Sequence, residues 1–322
     1  MSYIYDIDGN GVYIPNDKKG SANAIEYFTV RVNQDFPVES TSTDVSDSET
    51  YANVECVLKL PPTYSADGEP CPLVMCAHGT SGWVSSSSYQ TQLNRWDALL
   101  ADGYATYDVN GGMPFDSTSA HEHGQCMGGK RAVEAYYKAY LYIVQNYNVE
   151  PMVYVGGLSM GGLSAFNFAN NYPEVTRCVG CCYPVTDLYN QAWLNPWYTG
   201  TSAGSTKGCI AREFDFDSAS TWEGDKVVGY NPATNKHITV DNTDYCLLGM
   251  PVKIWHGDAD TTVNYQYSVN LINAIRNAGG NAEMRVVHGA GHGESTFSEW
   301  TELFNAEVKA YFNRIRRMSA TS

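Results

Sequence analysis

Basic residues are scarce in this 322-residue chain: 20 lysines and arginines stand against 35 aspartates and glutamates, a formal net charge of −15. Such a surface cannot neutralise a phosphate backbone, which excludes nucleic acid as a partner, and an anionic membrane surface repels it. The one basic cluster, Arg314, Arg316 and Arg317, falls at the end of the last expected helix, where it compensates the helix dipole. Long apolar runs are also missing, and none approaches membrane-spanning length. Met1–Asp8 has neither a basic start nor an apolar core, so no signal peptide is read there and a cytoplasmic protein is expected. No Cys-x-x-Cys pair has a matching second pair, so no zinc site is expected. The nine cysteines are an odd number, and Cys76, Cys178, Cys181 and Cys182 lie in apolar runs where a thiol behaves as a small hydrophobe. A reducing compartment is the simpler reading.

What is present is an ordinary globular composition, 43% hydrophobic and 17% charged. Residues 1–50 are polar and irregular, with a Ser/Thr/Asp-rich link at Glu39–Thr50, and read as an N-terminal extension. Within it, Asp6–Gly11 with Asp17 mimics a calcium loop, but Pro15 and the lack of flanking helices favour a hairpin turn. From Tyr51 the texture changes. Strands are expected at Val54–Leu60, Pro72–Ala77, Gly103–Val109, Pro151–Gly156, Arg177–Cys182, Val252–Trp255 and Glu283–Val287. Helices are expected at Ala132–Tyr147, from Gly162, at Tyr265–Ala278 and at Ser298–Ile315. This alternation predicts an α/β domain over residues 51–322, its mostly parallel sheet covered by helices on both faces. Residues 183–249 interrupt the rhythm with Trp193, Trp197, Tyr198 and Trp222 among glycines, threonines and asparagines, and read as a lid-like insertion. His121-Glu122-His123 has donors for a metal, but alternate residues on a loop seldom ligate one, and none is expected.

The chemistry concentrates at Gly157-Leu158-Ser159-Met160-Gly161-Gly162, between a buried strand and a helix. A serine between glycines at such a junction is a nucleophile elbow: the sharp turn lifts the hydroxyl clear, and the helix aims its first amides at the point where an oxyanion forms. A serine hydroxyl needs a base, and the base needs an orienting acid. The loop after one later strand, His256-Gly257-Asp258-Ala259-Asp260-Thr261-Thr262-Val263, supplies carboxylates, and the loop after the last, His288-Gly289-Ala290-Gly291-His292-Gly293, supplies histidines. Of the two histidines, glycine-flanked His292 has the mobility of a proton shuttle.

The order Ser, Asp, His resembles that of the α/β-hydrolase superfamily, over roughly Tyr51–Ile315. The superfamily's HG-x-x-D-x-x-V pattern implies Asp260 as the acid and leaves Asp258 as a turn former. Its H-G-x-x pattern over His78-Gly79-Thr80-Ser81-Gly82-Trp83 implies that the Thr80 amide joins the Met160 amide in an oxyanion hole, with Gly79 and Ser81 as rivals. His78 is expected to be structural, bonding to loop backbone. Leu60-Pro61-Pro62-Thr63-Tyr64 and Gly161-Gly162 are similar to the branch holding prolyl-oligopeptidase-type catalytic domains, acetyl xylan esterases, feruloyl esterases and dienelactone hydrolases. Prolyl oligopeptidase proper sets a large propeller ahead of its hydrolase domain, which weighs against a peptidase for this sequence. The resemblance therefore implies a cofactor-free serine carboxylic ester hydrolase acting on a small-molecule or glycan-linked ester, acetyl or feruloyl. A serine peptidase and a silent binding module are the alternatives. Trp83, Trp193 and Trp197 are the expected substrate-binding aromatics.

Overall fold

The computed structural model describes residues 3–5, 11–13, 19–33, 51–80, 84, 93–110, 126–200, 205–234, 246–293 and 298–319. A short antiparallel ribbon, β1 (Tyr3–Tyr5) with β2 (Gly11–Tyr13), occupies the N-terminus and has the pairing of the hairpin expected there. The remaining strands are β3 (Ile25–Asn33), β4 (Tyr51–Lys59), β5 (Cys71–Ala77), β6 (Ala105–Val109), β7 (Val149–Leu158), β8 (Thr176–Cys182), β9 (Val252–Gly257) and β10 (Ala282–Val287). They form one eight-stranded sheet in the order β10-β9-β8-β7-β5-β6-β4-β3. Pairing is parallel from β10 to β6 and antiparallel at β6–β4 and β4–β3.

Period-two alternation explains why both faces of this sheet are covered. In β5, Leu73, Met75 and Ala77 join one buried cluster, whereas Val74 and Cys76 join the other. In β8, Val179 and Cys181 likewise face away from Cys178 and Cys182. The first cluster is closed by α2 (Lys130–Asn146), α3 (Gly161–Asn171) and α5 (Tyr265–Asn277), through Tyr136, Ala139, Phe166, Leu271 and Ile275. The second is closed by α1 (Asp97–Ala101), α6 (Ser298–Leu303) and α7 (Lys309–Ser319), through Leu99, Trp300, Tyr311, Phe312 and Ile315. A π-helical turn, Phe304–Val308, joins α6 to α7, so the single helix expected here is interrupted.

Two further differences from the sequence reading matter. The stretch 25–33, read as part of an irregular extension, is a nine-residue strand paired along its whole length with β4. Ile25 and Tyr27 stay exposed on this edge, so the apolar alternation that marks a half-buried strand is weak there. The insertion has its own core. Met127, Met160, Leu163, Val185, Leu188, Trp193, Ile210, Phe214, Phe216 and Val263 form a third cluster, including residues of α4 (Thr206–Glu213) and of loops at the carboxyl end of the parallel strands.

Candidate active site

The candidate residues all leave the carboxyl ends of parallel strands, where loops of an open α/β sheet converge. Thr80 follows β5, Ser159 follows β7, Asp260 follows β9 and His292 follows β10. Ser159 holds φ 53, in the left-handed region that a non-glycine residue seldom adopts. Its neighbours fix this conformation: Ser159 N donates to Cys182 O at 3.2 Å, and Ser159 O accepts from Gly162 N at 2.9 Å and Val185 N at 2.8 Å. The turn also presses α3 against the β5 loop. A Cβ on Gly161 would stand 2.2 Å from Ala77 O, and one on Gly79 would stand 3.1 Å from Ser159 Cβ.

The three polar side chains meet in series. Ser159 Oγ lies 2.8 Å from His292 Nε2, and His292 Nδ1 lies 2.6 Å from Asp260 Oδ2. The second contact makes Nδ1 the donor to the carboxylate and leaves Nε2 to accept the serine proton. Asp260 is itself held on both oxygens. Its Oδ1 accepts from the amides of Thr262 and Val263, each at 2.8 Å. Its Oδ2 also faces His256 Nε2 at 3.1 Å, whose ring is completely buried. Val263 O lies 3.1 Å from the same nitrogen, so Nε2 carries the proton, while Nδ1 accepts from Ser268 Oγ at 2.8 Å. Burial pushes the Asp260 carboxyl up, but hydrogen bonds from His256 and His292 outweigh it and hold the group well below the ordinary carboxylate range.

The rival pair lies apart from the serine. His288 Nδ1 contacts Asp258 Oδ2 at 2.8 Å on an exposed surface, and Asp258 Oδ1 accepts from Gly289 N at 2.7 Å. Asp258 therefore ties the β10 loop to the β9 loop, and hydrogen bonds from His288 and Gly289 lower its pKa.

Met160 and Thr80 bracket the serine, with Thr80 Oγ1 3.6 Å from Met160 Sδ. Among the described residues neither backbone amide has a protein acceptor, as an oxyanion site requires. The β5 loop is anchored to a carboxylate through His78. His78 Nδ1 lies 3.0 Å from Asp108 Oδ2 at the end of β6, and Tyr136 Oη donates to Asp108 Oδ1. Burial raises the Asp108 pKa, and the His78 contact opposes that rise.

Above Ser159 opens a cavity of about 280 Å³. It is lined by Gly79, Thr80, Arg95, Leu158, Tyr183, Trp197, Tyr198, Thr262, His292 and Gly293.

Comparison with known proteins places this arrangement. The sequence pattern of the prolyl oligopeptidase family matches residues 92–315, well over half of the chain. The chain belongs to the prolyl oligopeptidase family. No curated protein sequence gives a significant match. Among solved structures, a protein described as a dipeptidyl aminopeptidase IV from Bacteroides ovatus superposes with a TM-score of 0.61 at 16% identity. That match covers 91% of this chain but only 36% of the other. S-formylglutathione hydrolase from Agrobacterium tumefaciens gives 0.60 at 14% identity, covering 94% of this chain and 100% of that one. Est1E from Butyrivibrio proteoclasticus, also solved with ferulic acid bound, gives 0.55 at 17% identity, covering 90% and 99%. At such identities the likeness establishes the fold: the chain is an α/β-hydrolase, and its family makes it a serine hydrolase.

Within this family member the aromatic expectations divide. Trp197 lines the cavity, joined by Tyr198 from the same loop. Trp193 does not line it, which corrects the expectation of a substrate contact. Its ring is buried against Phe216 and Trp222, at centroid distances of 5.5 and 5.4 Å, with Lys207 Nζ 5.2 Å from its centre. An insertion rich in large aromatics uses some of them to build its own core, and the sequence does not say which. Trp83, Ser81 and His121–His123 lie outside the described residues.

Three contributors were not foreseen. His256 enters the sequence only as part of the pattern implying Asp260, and its bond to the acid is set by the fold. Tyr183, at φ 40, sets its ring edge-on to His292 with centroids 5.0 Å apart. Arg95 belongs to no motif and reaches the cavity through tertiary packing alone. Among the described residues no group of three His, Cys, Asp or Glu could hold a metal ion.

Proposed function

We propose that this serine hydrolase is a carboxylic ester hydrolase forming an acyl-enzyme on Ser159, with short-chain or carbohydrate-linked esters, acetyl or feruloyl, as substrates. The observation that carries the reading is the hydrogen-bonded series Ser159 Oγ–His292–Asp260, with links of 2.8 and 2.6 Å, opening on a cavity. In this mechanism His292 Nε2 removes the serine proton as Oγ attacks the ester carbonyl. Asp260 holds the imidazole tautomer and stabilises the imidazolium, and the Met160 and Thr80 amides bind the oxyanion. His292 then protonates the leaving alcohol and activates the water that deacylates the enzyme. No cofactor enters these steps.

A volume of about 280 Å³ favours a short acyl group or a compact ring over a long alkyl chain. The faces of Trp197 and Tyr198 suit a sugar or phenolic ring, and the likeness to Est1E, which binds ferulic acid, supports that choice. The family itself favours a second reading, a peptidase of prolyl-oligopeptidase type. A panel of p-nitrophenyl esters of rising chain length, acetylated xylan, a feruloyl ester and a prolyl amide separates the two. Turnover of the short esters is expected, falling about a thousandfold or more in Ser159→Ala. Faster cleavage of the amide than of the esters would replace the esterase by the peptidase, and undiminished rates in Ser159→Ala would end both readings.

A further inference from the structure

The cavity over Ser159 has one permanent charge among its described lining residues, the guanidinium of Arg95, and no carboxylate. Arg95 sits on a 3-10 turn, Asn94–Trp96, that is fastened on both sides. Lys59 Nζ donates to Asn94 Oδ1 at 2.6 Å and to Asp97 Oδ1 at 2.9 Å, bracketing it. Beneath it Trp96 is almost fully buried, against the bare backbone of Gly156, where a Cβ would come within 2.4 Å of the indole. The side chain is oriented from one end only: Nη1 donates to Tyr183 Oη at 2.6 Å and to Gly293 O at 2.8 Å. Among the described residues no protein acceptor takes Nε or Nη2 and no carboxylate pairs with the group. Arg177, Arg285, Arg314 and Arg316 all pair with glutamates, in a chain carrying 35 acidic residues. A planar fork of donors, half-buried, pre-oriented and lacking an anion among the described residues, matches a carboxylate.

We propose that Arg95 makes this enzyme selective for esters that carry a carboxylate near the scissile bond. The inference rests on the esterase reading above and names the substrate class of that same site. Geometry also gives the contact a catalytic consequence. Gly293, which Arg95 holds through its carbonyl, directly follows His292, and Tyr183, which it holds through the hydroxyl, packs edge-on to the His292 ring. A substrate carboxylate on the free donors is therefore registered against the imidazole that delivers the proton to the leaving group. The same lining argues against selection for a substrate ammonium, which would meet a cation and no described anion.

The test compares matched esters differing in one charge. One pair carries it on the acyl side, p-nitrophenyl hemisuccinate against its methyl ester. The other carries it on the alcohol side, 4-acetoxybenzoate against methyl 4-acetoxybenzoate. In the wild type, kcat/KM for the anionic member of at least one pair exceeds that of the neutral member by about tenfold or more. In Arg95→Gln that ratio falls to one or below, whatever the absolute rates, and Arg95→Lys restores part of it. The pair that responds locates the carboxylate on the acyl or alcohol side. Turnover without preference in both pairs, or a preference that Arg95→Gln leaves intact, overturns the inference and leaves the esterase standing. No turnover of any of the four esters removes the esterase reading and this inference with it.

Discussion

Asp260 receives more hydrogen bonds than orientation of one imidazole requires. Asp260 accepts two backbone amides on Oδ1 and two imidazoles on Oδ2, and the second imidazole, His256, touches neither the serine nor the cavity. His256 is thus a positioning residue: its proton on Nε2 fixes which carboxylate lone pair remains for His292. Replacing it should disturb turnover more than binding. Steady-state kinetics of His256→Leu are expected to show kcat reduced by about tenfold or more with KM nearly unchanged, and His256→Gln to recover part of the loss. A rise in KM alone would assign His256 to the pocket wall instead. The pattern that selects Asp260 over Asp258 was legible in sequence because its spacing is local. That His256 bonds to Asp260 could not be read, since a buried histidine near an acid is equally consistent with several partners.

Elements matter here through their ends. Ser159 is left-handed because β7 stops one residue before it and α3 starts two residues after it, and that brevity is written in the glycines of the segment. The β5 loop carries no such local instruction. Its position depends on His78 reaching Asp108 on β6, with Tyr136 of α2 on the other carboxylate oxygen, a contact made across 30 residues of sequence. Asp108→Ala leaves the buried His78 without this partner. It is expected to cost about 1–3 kcal/mol in denaturant unfolding and to lower kcat by loosening the Thr80 amide. An unchanged kcat would mean that the loop is held by other contacts. The edge strand β3 escaped the sequence reading for a related reason: an exposed edge needs no apolar alternation, so its backbone pairing with β4 is the evidence for it.

At the scale of the whole molecule, ionisation of the site is coupled to folding. Asp260 is depressed in the folded protein, so its contribution to stability is present above the ordinary carboxylate value of about 4 and is lost as the pH falls through and below it. The difference in unfolding free energy between wild type and Asp260→Asn should therefore grow from about pH 3 to about pH 5 and then level off. A difference that shrinks over that interval would contradict the hydrogen bonding described for Oδ2. The seven cysteines whose side chains are described contribute no such switch: they are buried free thiols, and burial raises the Cys71 pKa to about 11.

The sequence by itself determined the alternation of strands and helices, the elbow at Ser159 and the chain order of serine, acid and histidine, because periodicity and tight turns act over neighbouring residues. Tertiary structure alone decided which aromatic reaches the cavity, since Trp193 is buried inside the insertion's cluster while Trp197 packs against that cluster and also lines the cavity. It also decided that Arg95, one of 20 basic residues with nothing local to mark it, lines the same cavity as Ser159, because a lone charge acquires its surroundings from the groups that folding gathers around it.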